Sequence, residues 1–157
     1  MRTGERAVGI VLKDNKILVF RRVKDGRRYH AFIGGGIEEG ETPDEAAVRE
    51  IKEEASIIIK KYKPLFQVKT ELDENYIGSE LKKFSSLQHF YLIEDFEGDL
   101  QLGGPERERA SENNQYHFEW IPLEKIAETK DLYPGEAREK LVEYIKLGKV
   151  KGENHGK

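Results

Sequence analysis

The pattern of apolar and polar positions along the chain predicts a mixed α/β protein. Runs rich in β-branched and aromatic residues, which favour strands, lie at 7–13, 17–22, 28–32, 57–70, 87–96 and 116–121. The first two runs flank Asp14 and Asn15, which predicts a hairpin, and Asp25-Gly26 predicts a second turn. Three consecutive glycines, Gly34–Gly36, interrupt the pattern and predict a loop.

A helix is predicted over Pro43–Ala55, where good helix-forming residues follow a strong start signal. Thr42 can cap this helix, proline suits its first position, and Glu45 stands three residues after Thr42, as a capping box requires. At about 100° per residue, one face of the helix collects the apolar residues Ala47, Val48, Ile51 and Ala55. We expect this face to pack against a sheet.

Beyond the last strand, the pattern predicts a short helix over Leu123–Thr129 and a longer one over Pro134–Leu147. Residues 98–114 combine glycine, proline and many charges, so a long surface loop is expected there. Residues 1–148 are expected to form one domain of the α/β (α+β) class, with helices on the faces of a mixed sheet. A flexible polar tail is expected over 149–157.

Composition narrows the function classes. The 157 residues, with a net charge of -3, suit one domain and create no global basic field that would favour nucleic acid. No apolar run approaches the roughly 18 residues that a membrane-spanning helix needs. The chain has no cysteine, which excludes disulfides, thiolate zinc sites and thiol nucleophiles and makes a cytoplasmic location the expectation.

Three glutamates on the predicted helix are the strongest candidates for chemistry. Glu50, Glu53 and Glu54 stand at i, i+3 and i+4, close enough to repel one another and destabilise the helix. A divalent cation would offset this repulsion, and oxygen ligands suit a hard ion such as Mg²⁺ or Mn²⁺. The preceding glycines would let a backbone carbonyl and a phosphate approach the ion. Because glutamates on a helix usually form a solvated face, the surrounding pattern decides the interpretation.

The surrounding pattern has a specific spacing. Gly35 is followed after five residues by Glu41, and seven residues later by the run Arg49-Glu50-Ile51-Lys52-Glu53-Glu54-Ala55-Ser56-Ile57. This resembles the signature of the Nudix (MutT-like) hydrolase family: Gly, five residues, Glu, seven residues, Arg-Glu-apolar-any-Glu-Glu-any-Gly-apolar. Ser56 departs from it, because the family has glycine there, at the end of the helix. Ile33 also departs, because many members have proline before the double glycine.

The resemblance implies a fold, a reaction and a set of ligands. The fold would be a Nudix-like α/β/α sandwich with a mixed sheet, and family habit implies a homodimer. The reaction would be Mg²⁺-dependent hydrolysis of a phosphoanhydride bond in a nucleoside diphosphate linked to a group X. Such substrates include a (d)NTP, a nucleotide sugar and a dinucleoside polyphosphate. The implied metal ligands are Glu50, Glu53 and Glu54, one of which would also activate water, together with the carbonyl of Gly34.

Further residues are expected around this centre. Arg49 and Glu41 are expected to pair and to hold the glycine segment against the helix, the alternative being a plain surface salt bridge. Arg22 could hold a phosphate, the alternative being an exposed charge at the end of a strand. The glycines expected to contact the substrate are Gly35 and Gly36. The candidates for a later catalytic carboxylate are Glu106, Glu108 and Glu112.

Two alternatives accompany these assignments. Tyr29, Phe32 and Tyr91 could stack on a nucleotide base, but packing in the core is the favoured interpretation for them. The protein could also be a non-catalytic nucleotide-sensing module on the same fold. Such modules usually lose carboxylates of the signature, whereas this chain keeps all of them, so hydrolysis of a small-molecule nucleotide is favoured.

Overall fold

The structure of the chain, a computed structural model, describes residues 2–72, 84–103 and 110–152. Its strands are β1 (Arg2–Lys13), β2 (Lys16–Lys24), β3 (Arg27–Ala31), β4 (Ile33–Glu38), β5 (Ile58–Leu72), β6 (Phe84–Glu97), β7 (Asn114–Pro122) and β8 (Leu132–Tyr133). Its helices are α1 (Pro43–Ala55), a 3₁₀ helix (Leu123–Glu128) and α2 (Gly135–Lys146). None of the helices in these ranges is long and apolar enough to cross a membrane. The predicted α/β class is confirmed.

Strand β1 organises the sheet because it pairs with three neighbours. Within β1, residues 2–9 are antiparallel to β4, and residues 6–11 are parallel to β6. Its last two residues, Leu12 and Lys13, pair with β2, which carries β3 on one side and β7 on the other. Strand β5 lies outside β6, and β8 lies outside β3. The result is one curled, mixed sheet.

The two faces of this sheet bury separate apolar clusters, because successive residues of a strand point to opposite faces. Val8, Ile10 and Leu12 of β1 belong to a cluster that also contains the buried residues of α2, here called the α2 cluster. Ala7 and Val11 belong to a cluster that contains the buried apolar residues of α1, here called the α1 cluster. The two helices therefore cover opposite faces of the sheet.

Helix α1 spans the predicted residues and begins with the predicted capping box. Thr42 Oγ1 accepts a hydrogen bond from the Glu45 backbone N–H (3.3 Å), and Glu45 Oε1 accepts one from the Thr42 backbone N–H (2.9 Å). The predicted apolar face packs against the sheet, although Val48 at its margin is only half-buried. The fully buried residues of the predicted face are Ala47, Ile51 and Ala55.

The three glycines belong to a strand, so the predicted loop over Gly34–Gly36 is wrong. Strand β4 contains all three and pairs with β1, with Gly34 opposite Val8. A Cβ atom on Gly34 would overlap the carbonyl oxygen of Ala7, so a residue without a side chain is needed for the two backbones to come this close. The three glycines, which in the sequence suggest an interruption of regular structure, thus belong to a strand, and Gly34 is required for its pairing with β1.

Both predicted turns are confirmed. Asp14 and Asn15 join β1 to β2 with φ values of 55° and 61°, and Asp25 and Gly26 join β2 to β3 with φ values of 52° and 81°. Positive φ at both central residues is the turn geometry that matches the twist of a two-stranded hairpin. Aspartate, asparagine and glycine tolerate this backbone better than other residues do.

The start of the predicted tail packs on the domain. Val150 is buried in the α2 cluster, and the Gly152 N–H donates to Asn15 Oδ1 (2.8 Å). Residues 149–152 of the predicted flexible tail over 149–157 therefore contact the domain, and the flexibility of the tail stays a prediction. Residues 153–157 lie outside the described part of the chain.

Replacing Ile51 by alanine tests the packing of α1. Ile51 is fully buried, and its Cδ1 lies so close to β1 that a Cβ on Gly9 would be 2.8 Å away. The truncation is expected to lower the free energy of unfolding by about 2–5 kcal/mol, because it leaves a cavity. Urea unfolding measures this, with Ile58→Ala as the control, since Ile58 is 46% exposed. Equal losses in the two variants would contradict the packing.

Candidate functional site

Helix α1 places the three glutamates of the motif in different surroundings. Glu50 and Glu54 stand one helical turn apart beside the apolar face, and they are only 4% and 8% exposed. The Glu53 side chain lies further around the helix and is 47% exposed. The helix therefore presents two buried carboxylates and one that faces water.

Strand β4 meets α1 at the carboxylate of Glu50. A Cβ atom on Gly35 would overlap this carboxylate, so Glu50 rests directly against the backbone of the glycine strand. Any side chain at Gly35 would displace the carboxylate from this position. The glycines expected to contact substrate, Gly35 and Gly36, are thereby brought beside the glutamates of α1.

Arg49 links the acidic residues of the motif through its guanidinium group. Its Nε and Nη2 donate to the two carboxylate oxygens of Glu41 (2.6 and 2.9 Å), which is the bidentate geometry that strengthens such pairs. Its Nη1 donates to Glu50 Oε2 (3.0 Å) and Glu53 Oε1 (3.3 Å), and its Nη2 also donates to the Gly36 carbonyl (2.9 Å). The expected pair of Glu41 and Arg49 is present, within a larger network.

This network keeps Glu41 and Arg49 charged. Hydrogen bonds from Arg49, with a further one from the Glu38 backbone N–H (2.9 Å), lower the pKa of Glu41 to about 2. The same contact with Glu41 raises the pKa of Arg49 above its ordinary value. Arg49 is therefore a permanent cation beside Glu50 and Glu53.

An arginine that the sequence did not reveal also lies at this site. Arg6 of β1 donates from Nη2 to the carbonyl of Gly34 (3.4 Å), the carbonyl expected to bind metal. Arg6 stands opposite Gly36 in the pairing of β1 with β4. No local signal in the sequence identifies Arg6, because its proximity depends on the register between two strands that are far apart in the chain.

Arg22 is held in one orientation by its neighbours on β3 and β7. Its guanidinium lies 3.8 Å from the ring centroid of Tyr116 and 5.7 Å from that of Tyr29. Its Nε donates to the Gln115 carbonyl (3.1 Å), and its Nη2 donates to Asn114 Oδ1. The half-buried Arg22 is therefore not a freely exposed charge at a strand end, and its role as a phosphate ligand stays a prediction.

The aromatic residues near the motif pack in the core, as the favoured interpretation had it. Those considered for base stacking are all buried, namely Tyr29, Phe32 and Tyr91. The Phe32 ring meets Phe90 edge-to-face with centroids 5.2 Å apart. Burial also raises the pKa of Tyr29, against the lowering effect of Arg22.

Of the three loop carboxylates, only Glu112 falls within the described residues. Its side chain is exposed, and its backbone carbonyl accepts a hydrogen bond from Gln115 Nε2 (3.1 Å) beside the first residues of β7. Glu106 and Glu108 lie outside the described part of the chain. A later catalytic carboxylate in this loop therefore stays a prediction.

Comparison with known proteins places the chain in a family. A family model described as the NUDIX domain matches residues 4–142. The chain belongs to the Nudix family. It is 36% identical over 101 residues to an ADP-ribose pyrophosphatase of Methanocaldococcus jannaschii, and the match covers 64% of this chain but only 56% of that enzyme. It is 33% identical over 133 residues to an RNA pyrophosphohydrolase of Pelagibacter ubique, covering 77% of this chain and 78% of that enzyme.

The fold agrees with that of a solved structure. The solution structure of the E. coli ORF135 protein superposes with a TM-score of 0.68 at 23% sequence identity, covering 92% of this chain and 89% of that one. At this level of identity the likeness concerns the fold alone. The expected Nudix-like arrangement of a mixed sheet and helices is confirmed.

Nudix enzymes generally use divalent metal ions, and α1 carries donors of suitable chemistry. Across the described ranges, no three acidic or histidine side chains stand close enough together to form a metal site by themselves. Arg49, rather than a further carboxylate, bridges Glu50 and Glu53. Mg²⁺ is usually held by one or two carboxylates, with water and substrate phosphates completing its shell. The buried pair Glu50 and Glu54 fits this requirement.

Replacing Glu41 by glutamine tests the Arg49 network. Folding lowers the pKa of Glu41 from 4.5 to about 2, so its ionised form stabilises the fold above pH 4.5, and this contribution is lost as the pH falls through 2. Glu41→Gln is expected to unfold at a lower urea concentration than the wild type near pH 6. The difference between the two proteins should shrink as the pH falls from 4.5 to 2.

Urea unfolding of both proteins across this pH range measures the effect. Glu128→Gln is the control, because the Glu128 side chain is 71% exposed and lies 3.9 Å from Lys125 Nζ in a surface pair, which contributes little to stability. It should follow the wild type at every pH. A gap between Glu41→Gln and the wild type that does not change with pH would contradict the charged network.

Proposed function

We propose that the protein hydrolyses a phosphoanhydride bond in a nucleoside diphosphate linked to another group, with Mg²⁺ or Mn²⁺ bound at α1. The observation that carries this proposal is the buried pair of carboxylates, Glu50 and Glu54, beside the glycine strand β4. Burying a charged group is costly, and apolar residues at these positions would serve packing better. Two carboxylates one turn apart therefore indicate a function rather than a contribution to the core.

The reaction needs water, a proton acceptor and charge neutralisation. The water oxygen forms a bond to phosphorus, the anhydride P–O bond breaks, and the leaving phosphate keeps the electron pair. One of the α1 carboxylates accepts the proton of the attacking water. A divalent cation held by Glu50 and Glu54 would neutralise the phosphate charge and make the attacking water more acidic. Arg49 holds Glu50 and Glu53 in position through its hydrogen bonds, so these carboxylates need no reorganisation during the reaction.

The relatives support a substrate class rather than one substrate. An ADP-ribose pyrophosphatase and an RNA pyrophosphohydrolase share, by their names, the cleavage of a pyrophosphate bond attached to a nucleotide. Nucleoside triphosphates, nucleotide sugars and dinucleoside polyphosphates belong to the same chemical class. A panel of these compounds, screened for metal-dependent product release, distinguishes among them. Nucleotide binding without turnover would instead support a non-catalytic sensing module.

Two further expectations stay predictions. The first is a homodimer, which rests on the habit of the family. Light scattering that gives a mass near 18.1 kDa at micromolar concentration would contradict it. The second is a cytoplasmic location, which rests on the absence of cysteine and is checked by fractionating cells that express the protein.

Replacing Glu54 by glutamine is expected to abolish most of the activity without unfolding the protein. The change keeps the side-chain volume and relieves the repulsion between Glu50 and Glu54, but it removes one charged ligand from the proposed metal site. Hydrolysis is expected to fall at least about 10²-fold. The measurement is product release against metal concentration on the most active substrate of the panel, with circular dichroism to confirm folding.

The matched control lies on the same helix. Lys52 is exposed and stands about 160° around α1 from Glu54, so Lys52→Gln should keep the wild-type rate. Wild-type turnover in Glu54→Gln would show that the proposed metal ligand is wrong.

A further inference from the structure

A segment that follows β6 is fastened to the end of α1. The Gln101 N–H donates to the Ala55 carbonyl (3.1 Å), and the Gly103 N–H donates to the Glu54 carbonyl (3.0 Å). The last carbonyls of a helix have no donors within the helix itself. This segment, residues 101–103, supplies two of the missing donors, and we call it the strap.

The strap lies against the backbone of the helix turn that carries the metal-binding motif. A Cβ atom on Gly103 would overlap the Glu53 carbonyl oxygen, so this close approach requires glycine. The Leu102 side chain packs against the α1 cluster, as does that of Leu100 just before the strap. Backbone hydrogen bonds and apolar contacts thus hold the strap and the last turn of α1 together.

Ser56, the residue that ends α1, is also linked to the strap. It ends α1 in the left-handed backbone conformation, with φ 65° and ψ 27°, where a residue with a Cβ is strained and glycine is favoured. Ser56 Oγ donates to the Gln101 carbonyl (2.9 Å), a hydrogen bond that the glycine of the Nudix signature could not make. Compared with glycine, serine at position 56 therefore has a strained backbone but forms an additional hydrogen bond, which tethers the strap.

We propose that Ser56 is a positioning residue for the carboxylate of Glu54. Its hydroxyl group tethers the strap, and the strap fixes the last turn of α1, so the Glu54 carboxylate stays in the geometry that binds a cation together with Glu50. Ser56 itself touches neither the cation nor the substrate. Partners outside the ligand shell that orient metal ligands commonly raise metal affinity by about 10-fold or more. This inference rests on the proposed function of α1 as a metal-binding helix.

Two variants separate a positioning role from a merely structural one. Ser56→Gly and Ser56→Ala both remove the hydroxyl group, but only Ser56→Gly relieves the left-handed backbone. Ser56→Gly is therefore expected to unfold at or above the wild-type temperature, and Ser56→Ala below it. If Ser56 were only a cap, the affinity for metal would follow this order of stability. If Ser56 positions the Glu54 carboxylate, both variants lose affinity to a similar extent.

The experiment titrates Mn²⁺ alone into each folded protein by calorimetry, with thermal unfolding recorded in parallel. The Kd for Mn²⁺ is expected to rise about 10-fold in both variants. Ser56→Asn should recover most of the affinity, because asparagine tolerates the left-handed conformation and carries an N–H donor. The control is Thr129→Val, which removes a 2.8 Å bond from a hydroxyl to the Lys125 carbonyl at the end of the 3₁₀ helix and should leave the Kd unchanged.

The outcomes distinguish the positioning role of Ser56 from the proposed metal site on α1. A wild-type protein that does not bind Mn²⁺ contradicts the metal site itself, and the role of Ser56 with it. A wild-type protein that binds Mn²⁺, with Ser56→Gly binding equally well, overturns only the positioning role. Failure of Ser56→Asn to recover any affinity would also count against the tether.

Discussion

One guanidinium group connects the parts of the site. Arg49 donates to Gly36 on β4, to Glu41 in the turn that follows, and to Glu50 and Glu53 on its own helix. The donors of a guanidinium are fixed in one plane, so the strand, the turn and the helix cannot shift independently without breaking at least one of these bonds. A lysine at this position carries the same charge but could not reproduce the geometry.

Close approach of backbones is the second constraint, and three glycines permit it. Gly34 lets β4 pair tightly with β1, Gly35 leaves room for the carboxylate of Glu50, and Gly103 lets the strap contact the end of α1. In each case a Cβ would overlap a backbone or carboxylate atom. The geometry of the site therefore depends on glycines as well as on charged residues. Helix α1 is contacted along its side by β4 and at its C-terminal end by the strap.

Local signals made much of this arrangement predictable. Thr42 and Glu45 define the start of α1 through contacts three residues apart, and the two hairpin turns follow from residues that tolerate positive φ. The position of Glu50, Glu53 and Glu54 on one helix follows from helix periodicity and from a signature of fixed spacing. In all of these cases the interacting residues are neighbours in the chain, so the geometry of one turn or one helix is enough to relate them.

Other features depend on contacts between distant segments, and only the tertiary structure decided them. The glycines looked like a loop until the register of β4 against β1 showed them in a strand. Arg6, the strap and the burial of Val150 leave no local pattern, because each depends on which segments the curled sheet brings together. The sequence by itself determined the helix α1, the two hairpin turns and the identity of the charged residues at the site. The tertiary structure decided how closely the backbones approach one another and which carbonyl and carboxylate groups form hydrogen bonds. These contacts depend on strand register and packing rather than on spacing along the chain.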